Sequence, residues 1–376
     1  MAFITSLLLQ NFRNYEDACV SGMGDHFVVL YGDNGAGKTN ILEAVSLLTP
    51  GRGLRGAKAP DLQNQSQKAP WVLSGKMTTR FGDIQIGTGM QVQRGKRVMR
   101  IDGDTVKSQA DLAQYVTSIW LTPQMDGLFM AGASERRRFF DRLVTAFDPA
   151  HQGRLHRYEN ALRQRTKILS DEKTEPDPLW LDGLEKTISE TGVAVSAARV
   201  DFIIRLNDVT KDLHDRHETG EFPQGHFYLK GDIENALEDK AALEVEDMFA
   251  NTLRNRRLGD TALKSASFGS HKCDIEVIHL DKNMPASQCS TGEQKALLMG
   301  IILAHRHMLH RAKAQLPILL LDEVAAHFDV KRRASLFTFL DALGGQVWMT
   351  GTDQNLFDGV PETGSKFQIS TGRIIS

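Results

Sequence analysis

Eight residues near the amino terminus constrain the fold of this 376-residue chain more than any other stretch. Gly32 to Thr39 reads GDNGAGKT and lies between the apolar run Phe27–Leu30 and the helix-like segment Asn40–Val45. A G-x-x-x-x-G-K-[ST] pattern between a strand and a helix is the P-loop. Its glycines let successive N–H groups converge on phosphate oxygens, and the positive end of the helix dipole adds to the attraction. The motif therefore predicts an α/β fold with a nucleotide phosphate site.

The residues of this loop have distinct predicted roles. Lys38 is expected to contact the β- and γ-phosphates, and the Thr39 hydroxyl is expected to bind Mg²⁺. A glycine-rich turn with an incidental lysine is the alternative, and the flanking strand and helix argue against it. The predicted cofactors are ATP and Mg²⁺. The predicted nucleotide-binding residues are Gly32, Asp33, Asn34, Gly35, Ala36, Gly37, Lys38, Thr39 and Asn40.

A second apolar run ends in two acids. Pro317 to Leu321 reads as a buried strand and is followed by Asp322 and Glu323. We expect this strand beside the P-loop strand, with Asp322 binding Mg²⁺ and Glu323 orienting or deprotonating the attacking water. A buried strand that ends in a solvated acidic turn is the alternative interpretation.

Composition excludes several classes of protein. Hydrophobic residues make up 41% of the chain and the net charge is −2. No apolar run approaches the roughly 20 residues that cross a bilayer, and the amino-terminal segment lacks the features of a signal peptide. The three cysteines are far apart and lack metal-ligand spacing, which favours unpaired thiols in a reducing compartment. We expect a cytoplasmic protein.

The pattern along the chain predicts a split domain. Strand-like segments dominate the first ~130 residues, helical periodicity follows, and α/β character returns near the carboxyl terminus. Residues 1–130 and 265–376 are predicted to form one α/β domain, with 131–264 inserted as a mainly helical arm. A hairpin turn is predicted at Asp102-Gly103. The predicted helices begin near Ala133, with Ser134 as N-cap, and then cover His151–Leu169, Leu179–His214 and Glu234–Leu253.

A third motif indicates a protein family. Ser290 to Gln294 reads STGEQ at the start of a helix. The order of P-loop, S-x-G-x-Q and apolar strand with Asp-Glu resembles the ABC-type ATPase heads. The resemblance implies that Ser290, Gly292 and Gln294 bind the ATP of a second copy. A capped helix start at Ser290 or Thr291 is the alternative.

The branch of that family is indicated by further motifs. The long, largely helical interval between Thr39 and Ser290 is similar to the SMC-like DNA-repair branch with a short arm. Asn11–Tyr15 (NFRNY) and Gly132–Asp141 (GASERRRFFD) closely resemble motifs of the RecF family. Phe268–Asp274 (FGSHKCD) lies where that family has G-P-H-R-D-D, and it departs from the pattern at three positions, namely Ser270, Lys272 and Cys273.

The resemblance implies an ATP-dependent DNA-binding protein of recombinational repair and replication. ATP would join two copies into a clamp on double-stranded DNA near single-strand gaps and junctions, and slow, DNA-stimulated hydrolysis would release it. RecO- and RecR-type partners and a nucleoid-associated location are implied, without a membrane. Two alternatives are the ATPase subunit of a membrane transporter, which normally has a switch histidine after the strand that ends at Thr350, and an SMC-like architectural protein.

The resemblance also adds candidate residues outside the main motifs. Arg13 is expected to contact a nucleotide phosphate or a nearby backbone carbonyl. Gln124 is expected to contact Mg²⁺ or the attacking water, with a surface amide as the alternative. Residues 131–167 contain nine Lys or Arg and four Asp or Glu, so DNA phosphate contacts are predicted there, although a solvated face and pairing with Asp141 or Glu135 are open for some. The predicted DNA contacts are Arg136, Arg137, Arg138, Arg142, Arg154 and Arg157.

Overall fold

The structure is a computed structural model that describes residues 2–67, 69–91, 95–106, 109–171, 177–218, 220–313 and 316–375. It divides into two compact units. Unit 1 comprises residues 1–126, 213–223 and 298–376, and unit 2 comprises residues 127–212 and 224–297. Residues 265–297 thus group with the helical segment, and the domain boundaries inferred from the sequence stay a prediction. Within the described ranges, no helix is long and apolar enough to cross a membrane.

The strands and helices are numbered in chain order. The strands are β1 (Phe3–Phe12), β2 (Tyr15–Ser21), β3 (Phe27–Tyr31), β4 (Val72–Thr79), β5 (Gly82–Gln91), β6 (Lys96–Ile101), β7 (Asp104–Thr105), β8 (Ser118–Leu121), β9 (Gly225–Lys230), β10 (Asp274–His279), β11 (Met284–Pro285), β12 (Ile318–Leu321), β13 (Val347–Gly351), β14 (Ser365–Ser370) and β15 (Arg373–Ile375). The helices are α1 (Lys38–Leu47), α2 (Gln109–Ala113), α3 (Ala133–Phe147), α4 (Ala150–Leu169), α5 (Pro178–Asp215), α6 (Asp232–Asp239), α7 (Ala242–Asn255), α8 (Arg257–Leu263), α9 (Thr291–Lys313) and α10 (Val330–Leu343).

A mainly parallel sheet in unit 1 carries the P-loop. Its strand order is β15-β14-β3-β13-β12-β8, and all of these strands run in the same direction except β15, which is antiparallel to β14. The segments that follow β3 and β12 therefore emerge at the same edge of the sheet. The expectation that the strand before Asp322 lies directly beside the P-loop strand is wrong. The fully buried β13 pairs with both β3 and β12 and separates them.

An antiparallel sheet completes unit 1, with the order β2-β1-β4-β5-β6-β7. The hairpin predicted at Asp102-Gly103 is confirmed: both residues have positive φ (49° and 92°) and the flanking strands pair, as a two-residue turn requires. Both sheets contribute to one core with α1, because Leu7 of β1, Ile41 of α1 and Trp348 of β13 are fully buried in the same cluster.

Unit 2 combines helices with the three-stranded sheet β11-β10-β9. The long helix predicted over Leu179–His214 is confirmed as α5. The single helix predicted over Glu234–Leu253 is wrong, since Lys240 and Ala241 have extended backbones that separate α6 from α7. The N-cap predicted at Ser134 is also wrong. The carbonyl of Gly132 accepts the first helical bonds, so α3 begins at Ala133.

Buried ion pairs join the helices of unit 2. The Arg165 guanidinium is inaccessible to solvent and donates to Glu185 Oε1 at 2.9 Å and to Asp260 Oδ2 at 2.6 Å. Arg199 forms a bidentate pair with Asp141 at 2.8 and 2.9 Å. Each charge has an opposite charge in hydrogen-bonding distance, which is the condition for burying it.

Candidate nucleotide-binding site

The P-loop curls at the carboxyl end of β3 through three glycines. Gly32, Gly35 and Gly37 have φ values of 144°, 81° and 116°, which side-chain-bearing residues rarely adopt. Space is also restricted: a Cβ at Gly32 would lie 2.1 Å from the Ile369 carbonyl oxygen, and one at Gly37 would lie 2.6 Å from Tyr15 Oη. Backbone conformation and packing both require glycine at positions 32 and 37, whereas at Gly35 only the backbone conformation does.

The amino-terminal end of α1 is suited to an anion. Gly37 occupies the N-cap without a side chain to cap the helix, and the first turn contains no acidic residue. The first N–H groups of a helix have no intrahelical acceptor and carry the positive end of its dipole. Lys38 Nζ reaches into the loop and donates to the carbonyls of Gly32 at 2.6 Å and Asp33 at 2.8 Å. Burial lowers the pKa of Lys38, while the nearby Glu323, Asp322 and Asp33 act in the opposite direction.

Thr39 and Asp322 lie together, as the predicted Mg²⁺ site requires. Thr39 Oγ1 donates to Asp322 Oδ1 at 2.9 Å and lies 3.1 Å from Oδ2. The Asp322 side chain is nearly buried. A hydroxyl and a carboxylate are the hard oxygen donors that Mg²⁺ prefers, usually with phosphate oxygens and water completing the octahedron. The residues present therefore fit the ion, and their role as its ligands stays a prediction.

Glu323 is held in a strained conformation next to Asp322. Its φ of 55° lies in the left-handed region, which costs a non-glycine residue on the order of 1–3 kcal/mol and is concentrated at functional sites. Its N–H donates to Thr350 Oγ1 at 2.8 Å, and that hydroxyl donates to Asp322 Oδ1 at 2.8 Å. Sequence reasoning placed Thr350 at the end of a strand, where the ATPase family keeps its switch, and gave it no role in the site. Its position between the two acids depends on β13 lying beside β12.

Gln124 follows β8, the strand that pairs with β12 on the side away from β13. Strand β8 pairs with β12 in the register Leu121↔Leu321, and the Asp322 N–H donates to the Leu121 carbonyl at 2.9 Å. Gln124 lies on the short 3-10 turn after β8, and its side chain is exposed. It therefore lies at the sheet edge that carries Asp322, and its predicted contact with Mg²⁺ or water stays a prediction.

Arg13 contacts a carboxylate that the sequence analysis did not single out. Its Nε and Nη2 donate to Glu43 Oε2 and Oε1, each at 2.8 Å, and its Nη1 donates to the Asp61 carbonyl at 2.8 Å. Arg13 therefore uses three of its nitrogens inside the protein, and its predicted phosphate contact stays a prediction. The sequence signal for Glu43 was one acidic residue within the apolar stretch of α1.

A cleft of about 450 Å³ lies beside the P-loop at the ends of β3, β13 and β14. Its volume falls in the range of small-molecule sites. Apart from Gly32 and Asp33, its lining was not predicted from the sequence. The lining residues are Tyr31, Gly32, Asp33, Thr352, Asp353, Gln354, Asn355, Gln368, Ile369 and Ser370.

The S-x-G-x-Q motif belongs to unit 2 and forms a capped helix start. The Ser290 carbonyl accepts the N–H of Gln294, and the Ser290 N–H donates to Glu293 Oε2 at 2.9 Å, which is a capping-box contact. Hydrogen bonds from Lys282 and from Ser290 lower the pKa of Glu293 to about 2.

The three motif residues predicted to bind ATP differ in exposure. Gln294 is buried and donates to the Cys289 carbonyl at 2.9 Å, whereas Ser290 and Gly292 are exposed. Their contact with the ATP of a second copy stays a prediction.

The six arginines predicted to contact DNA have different surroundings. Arg136 forms a bidentate pair with Asp274 at 2.9 and 2.7 Å, and this hydrogen-bonded pair raises its pKa. Arg137 donates to the Cys273 carbonyl. An arginine of this run was expected to pair with Asp141 or Glu135. Asp141 binds Arg199 instead, and the pairing with Glu135 stays a prediction.

The remaining four of these arginines divide by exposure. Arg154 pairs with Asp148, and Arg142 is half-buried with its guanidinium 5.5 Å from the centre of the Phe139 ring. Arg138 and Arg157 are exposed. These two therefore retain the accessibility that a contact with an external phosphate requires.

Comparison with known proteins identifies the family. The family model described as RecF/RecN/SMC N terminal domain matches residues 3–372. The DNA replication and repair protein RecF of Rhizobium rhizogenes is 42% identical over 374 residues, covering 99% of this chain and 98% of its own length. The chain belongs to the RecF family. The RecF protein of Brucella suis is 43% identical, covering 99% of this chain and 95% of its own length.

Solved structures show the same fold. The structure of the recombination mediator protein RecF with ATP in the RecFOR pathway has a TM-score of 0.84 at 20% identity, covering 100% of this chain and 97% of its own. An Smc head domain from Pyrococcus furiosus has a TM-score of 0.55 at 13% identity, covering 100% of this chain and 96% of its own. The predicted α/β ATPase-head fold of the RecF and SMC type is confirmed.

Proposed function

We propose that this RecF-family chain is an ATP-dependent DNA-binding protein of DNA replication and recombinational repair. The observation that carries the proposal is the convergence of Lys38, Thr39, Asp322 and Glu323 at one sheet edge. Relatives at 42–43% identity that cover 99% of this chain are DNA replication and repair proteins. No observation in the described residues favours a transporter subunit.

In this proposal ATP hydrolysis is slow, and the chain's own residues carry it out. The P-loop N–H groups and Lys38 bind the phosphates. Mg²⁺, when held by Thr39 and Asp322, supplies charge neutralisation at the β- and γ-phosphates. The Glu323 carboxylate orients the attacking water and accepts its proton. The strained backbone and the Thr350 hydroxyl hold Glu323 for this task.

A second copy completes the site in this proposal. Ser290 and Gly292 are exposed at the start of α9, where helix N–H groups and a hydroxyl form an anion site. They close on the γ-phosphate bound to the other copy, so ATP joins two chains and hydrolysis separates them. Gln294 supports the turn from inside through Cys289.

Duplex DNA is bound through its phosphates on an exposed basic surface of unit 2. Helix α4 exposes Arg157, Arg163 and Lys167, with Glu159 as an exposed acid among them. The first and last of these cations are ten residues apart in the sequence, about 15 Å along the helix, and exposed cations give sequence-independent phosphate contacts. Arg138 adds a further exposed charge on α3. Gaps and strand junctions are the proposed substrates, and RecO- and RecR-type proteins are the proposed partners.

Sedimentation of the protein with and without ATP, and with and without a duplex, tests the proposal. The expected result is a monomer alone, a dimer with ATP and Mg²⁺, and co-sedimentation of that dimer with duplex at low salt. An ATP-dependent dimer that does not bind duplex at low salt would leave the ATPase switch intact and reject the DNA function. Binding assays on gapped, single-stranded and blunt substrates then define the preferred DNA.

A further inference from the structure

Glu43 is a buried carboxylate within the helix that follows the P-loop. It lies in the second turn of α1 between Leu42 and Ala44, and only 1% of it is exposed. Burying an unpaired carboxylate is strongly unfavourable, so its partners define its role. Arg13 binds both of its oxygens, and Arg55 Nη1 donates to Oε2 at 2.8 Å. One carboxylate on α1 is thus held by two guanidinium groups from outside the helix.

Asn14 connects the same turn to the P-loop itself. Its Nδ2 donates to the Ala36 carbonyl at 3.0 Å, and its Oδ1 accepts from Asn40 Nδ2 at 2.7 Å. Arg55 Nη1 also donates to Asn40 Oδ1 at 2.7 Å. Because Asn40 lies in the first turn of α1 and Glu43 in the second, both turns are tied to neighbouring loops.

The turn that supplies Arg13 and Asn14 is itself well fixed. Arg13 has a φ of 54° in the left-handed region, and its N–H donates to the Leu62 carbonyl at 2.9 Å. The Asn14 side chain also lies against Gly37, where a Cβ would come within 2.6 Å of its Nδ2. The β1–β2 turn therefore packs directly beneath the helix N-terminus that would face the phosphates.

We propose that Glu43 and Asn14 are positioning residues for the nucleotide. They act through α1 and Ala36 by fixing the direction of the P-loop N–H groups before ATP binds. The inference rests on the proposed nucleotide function and goes beyond it, since neither residue belongs to the P-loop pattern. Removing a group that orients metal ligands typically changes affinity or activity by about 10–100-fold, and we expect an effect of similar size for groups that orient a phosphate site, because small displacements of binding groups are costly.

Equilibrium titration with a fluorescent ATP analogue at constant Mg²⁺ tests the proposal. Glu43→Gln keeps the shape of the side chain and removes its charge. We expect its Kd to rise about tenfold, with kcat at saturating ATP largely retained because Glu323 is untouched. Asn14→Asp replaces the donor to the Ala36 carbonyl with an oxygen that cannot donate, and this variant is also expected to raise Kd. Asn14 is exposed, so this variant tests the idea even if Glu43→Gln fails to fold.

A matched control separates positioning from general stability. Asp260→Asn neutralises another buried, arginine-paired carboxylate, this one in unit 2. It is expected to lower Tm and leave the Kd for the analogue unchanged. If Glu43→Gln lowers Tm in the same way with no change in Kd, or if Asn14→Asp binds like the wild type, the proposal is overturned. A wild-type protein that fails to bind the analogue, or a Lys38→Ala variant that binds it equally well, would instead reject the proposed nucleotide site.

Discussion

The Thr350 hydroxyl donates to Asp322 Oδ1 at 2.8 Å while it accepts the N–H of Glu323 at the same distance. One buried side chain from β13 therefore fixes the relative position of two neighbouring acids at the end of β12. The acids have different proposed tasks: Asp322, which accepts a hydrogen bond from Thr39, is the proposed metal ligand, and Glu323 is the proposed general base. Thr350 thus links the proposed metal ligand to the proposed general base without performing either task.

Replacing Thr350 with valine tests this link. Valine has a similar shape but cannot hydrogen-bond, so the Glu323 N–H and Asp322 Oδ1 are each deprived of a partner, at a cost of about 1–3 kcal/mol for a buried group. We expect kcat for ATP hydrolysis to fall about tenfold, as for other orienting groups, with a smaller change in Kd. Steady-state hydrolysis and ATP titration measure the two effects. Thr350→Ser keeps the hydroxyl and should retain activity, and wild-type kcat in Thr350→Val would contradict the assigned role.

Replacing Lys38 with alanine removes the ammonium that lies within the P-loop. Its two carbonyl partners, Gly32 and Asp33, show that the loop is curved around this group. We expect loss of ATP binding and of ATP-dependent dimerisation together, because the phosphates then lack their main compensating charge. Titration and sedimentation of the same sample check both. A Lys38→Ala protein that still dimerises with ATP would separate dimerisation from the P-loop.

The local chemistry of the site was predictable because it depends on short patterns. The P-loop needs Gly32, Gly37 and Lys38 at fixed spacing, and the structure shows the collisions that exclude a side chain at both glycines. Strand order was harder, because nothing in the apolar run before Asp322 reveals which strand pairs with it. Strand pairing depends on tertiary structure. Strand β13 lies between β12 and β3, which the sequence analysis expected to be direct neighbours.

Long-range ion pairs are the part of the structure that local sequence patterns could not reveal. Arg136 was predicted as a DNA contact within a basic run, yet its partner Asp274 lies 138 residues further along the chain. Glu43 gave only the weak signal of an acid in an apolar helix, since its partner Arg13 is 30 residues away. Local charge patterns therefore identify cations but not which of them are already paired.

Neutralising the exposed cations of α4 tests the proposed DNA surface. Removing one protein–phosphate interaction reduces the log–log salt slope of duplex binding by about 0.9. Replacing Arg157, Arg163 and Lys167 with glutamine should therefore reduce the slope by about 3 and weaken binding equally for different sequences. Fluorescence anisotropy of a labelled duplex, measured with ATP from low to moderate salt, gives this slope. As a control, Arg205→Gln removes an exposed arginine that pairs with Asp201 on α5 and should leave the salt slope unchanged. If the triple variant of α4 and Arg205→Gln have equal slopes, the α4 surface is excluded as the DNA-binding surface.

The buried pair of Asp141 and Arg199 predicts a pH dependence of stability. Burial raises the pKa of Asp141, but Arg199 and the hydrogen bond from His151 outweigh it and hold the pKa at about 2, below the usual 3.8. A depressed pKa gives stability that is present above the unfolded value and lost as pH falls through the folded one. Asp141→Asn should therefore be destabilised on the order of 2 kcal/mol at neutral pH, and the difference should shrink between about pH 4 and 2. Urea denaturation across this range measures it, and a constant difference would contradict the pairing.

Replacing Glu323 with glutamine separates ATP binding from hydrolysis. Glutamine preserves the size of the side chain and the strained turn at φ 55°, but it cannot accept a proton from the attacking water. ATP should still bind through Lys38 and Thr39, so the dimer forms and persists because the step that separates it is blocked. Sedimentation in saturating ATP and Mg²⁺ should show a stable dimer with hydrolysis reduced at least about a hundredfold, within the range of lost general-base catalysis. Asp201→Asn removes the charge of an exposed acid that pairs with Arg205 within α5 and serves as the control for charge removal, since it should leave hydrolysis and the dimer unchanged. A Glu323→Gln protein that remains monomeric in ATP would contradict the clamp mechanism, because binding without hydrolysis should be sufficient to join the two copies.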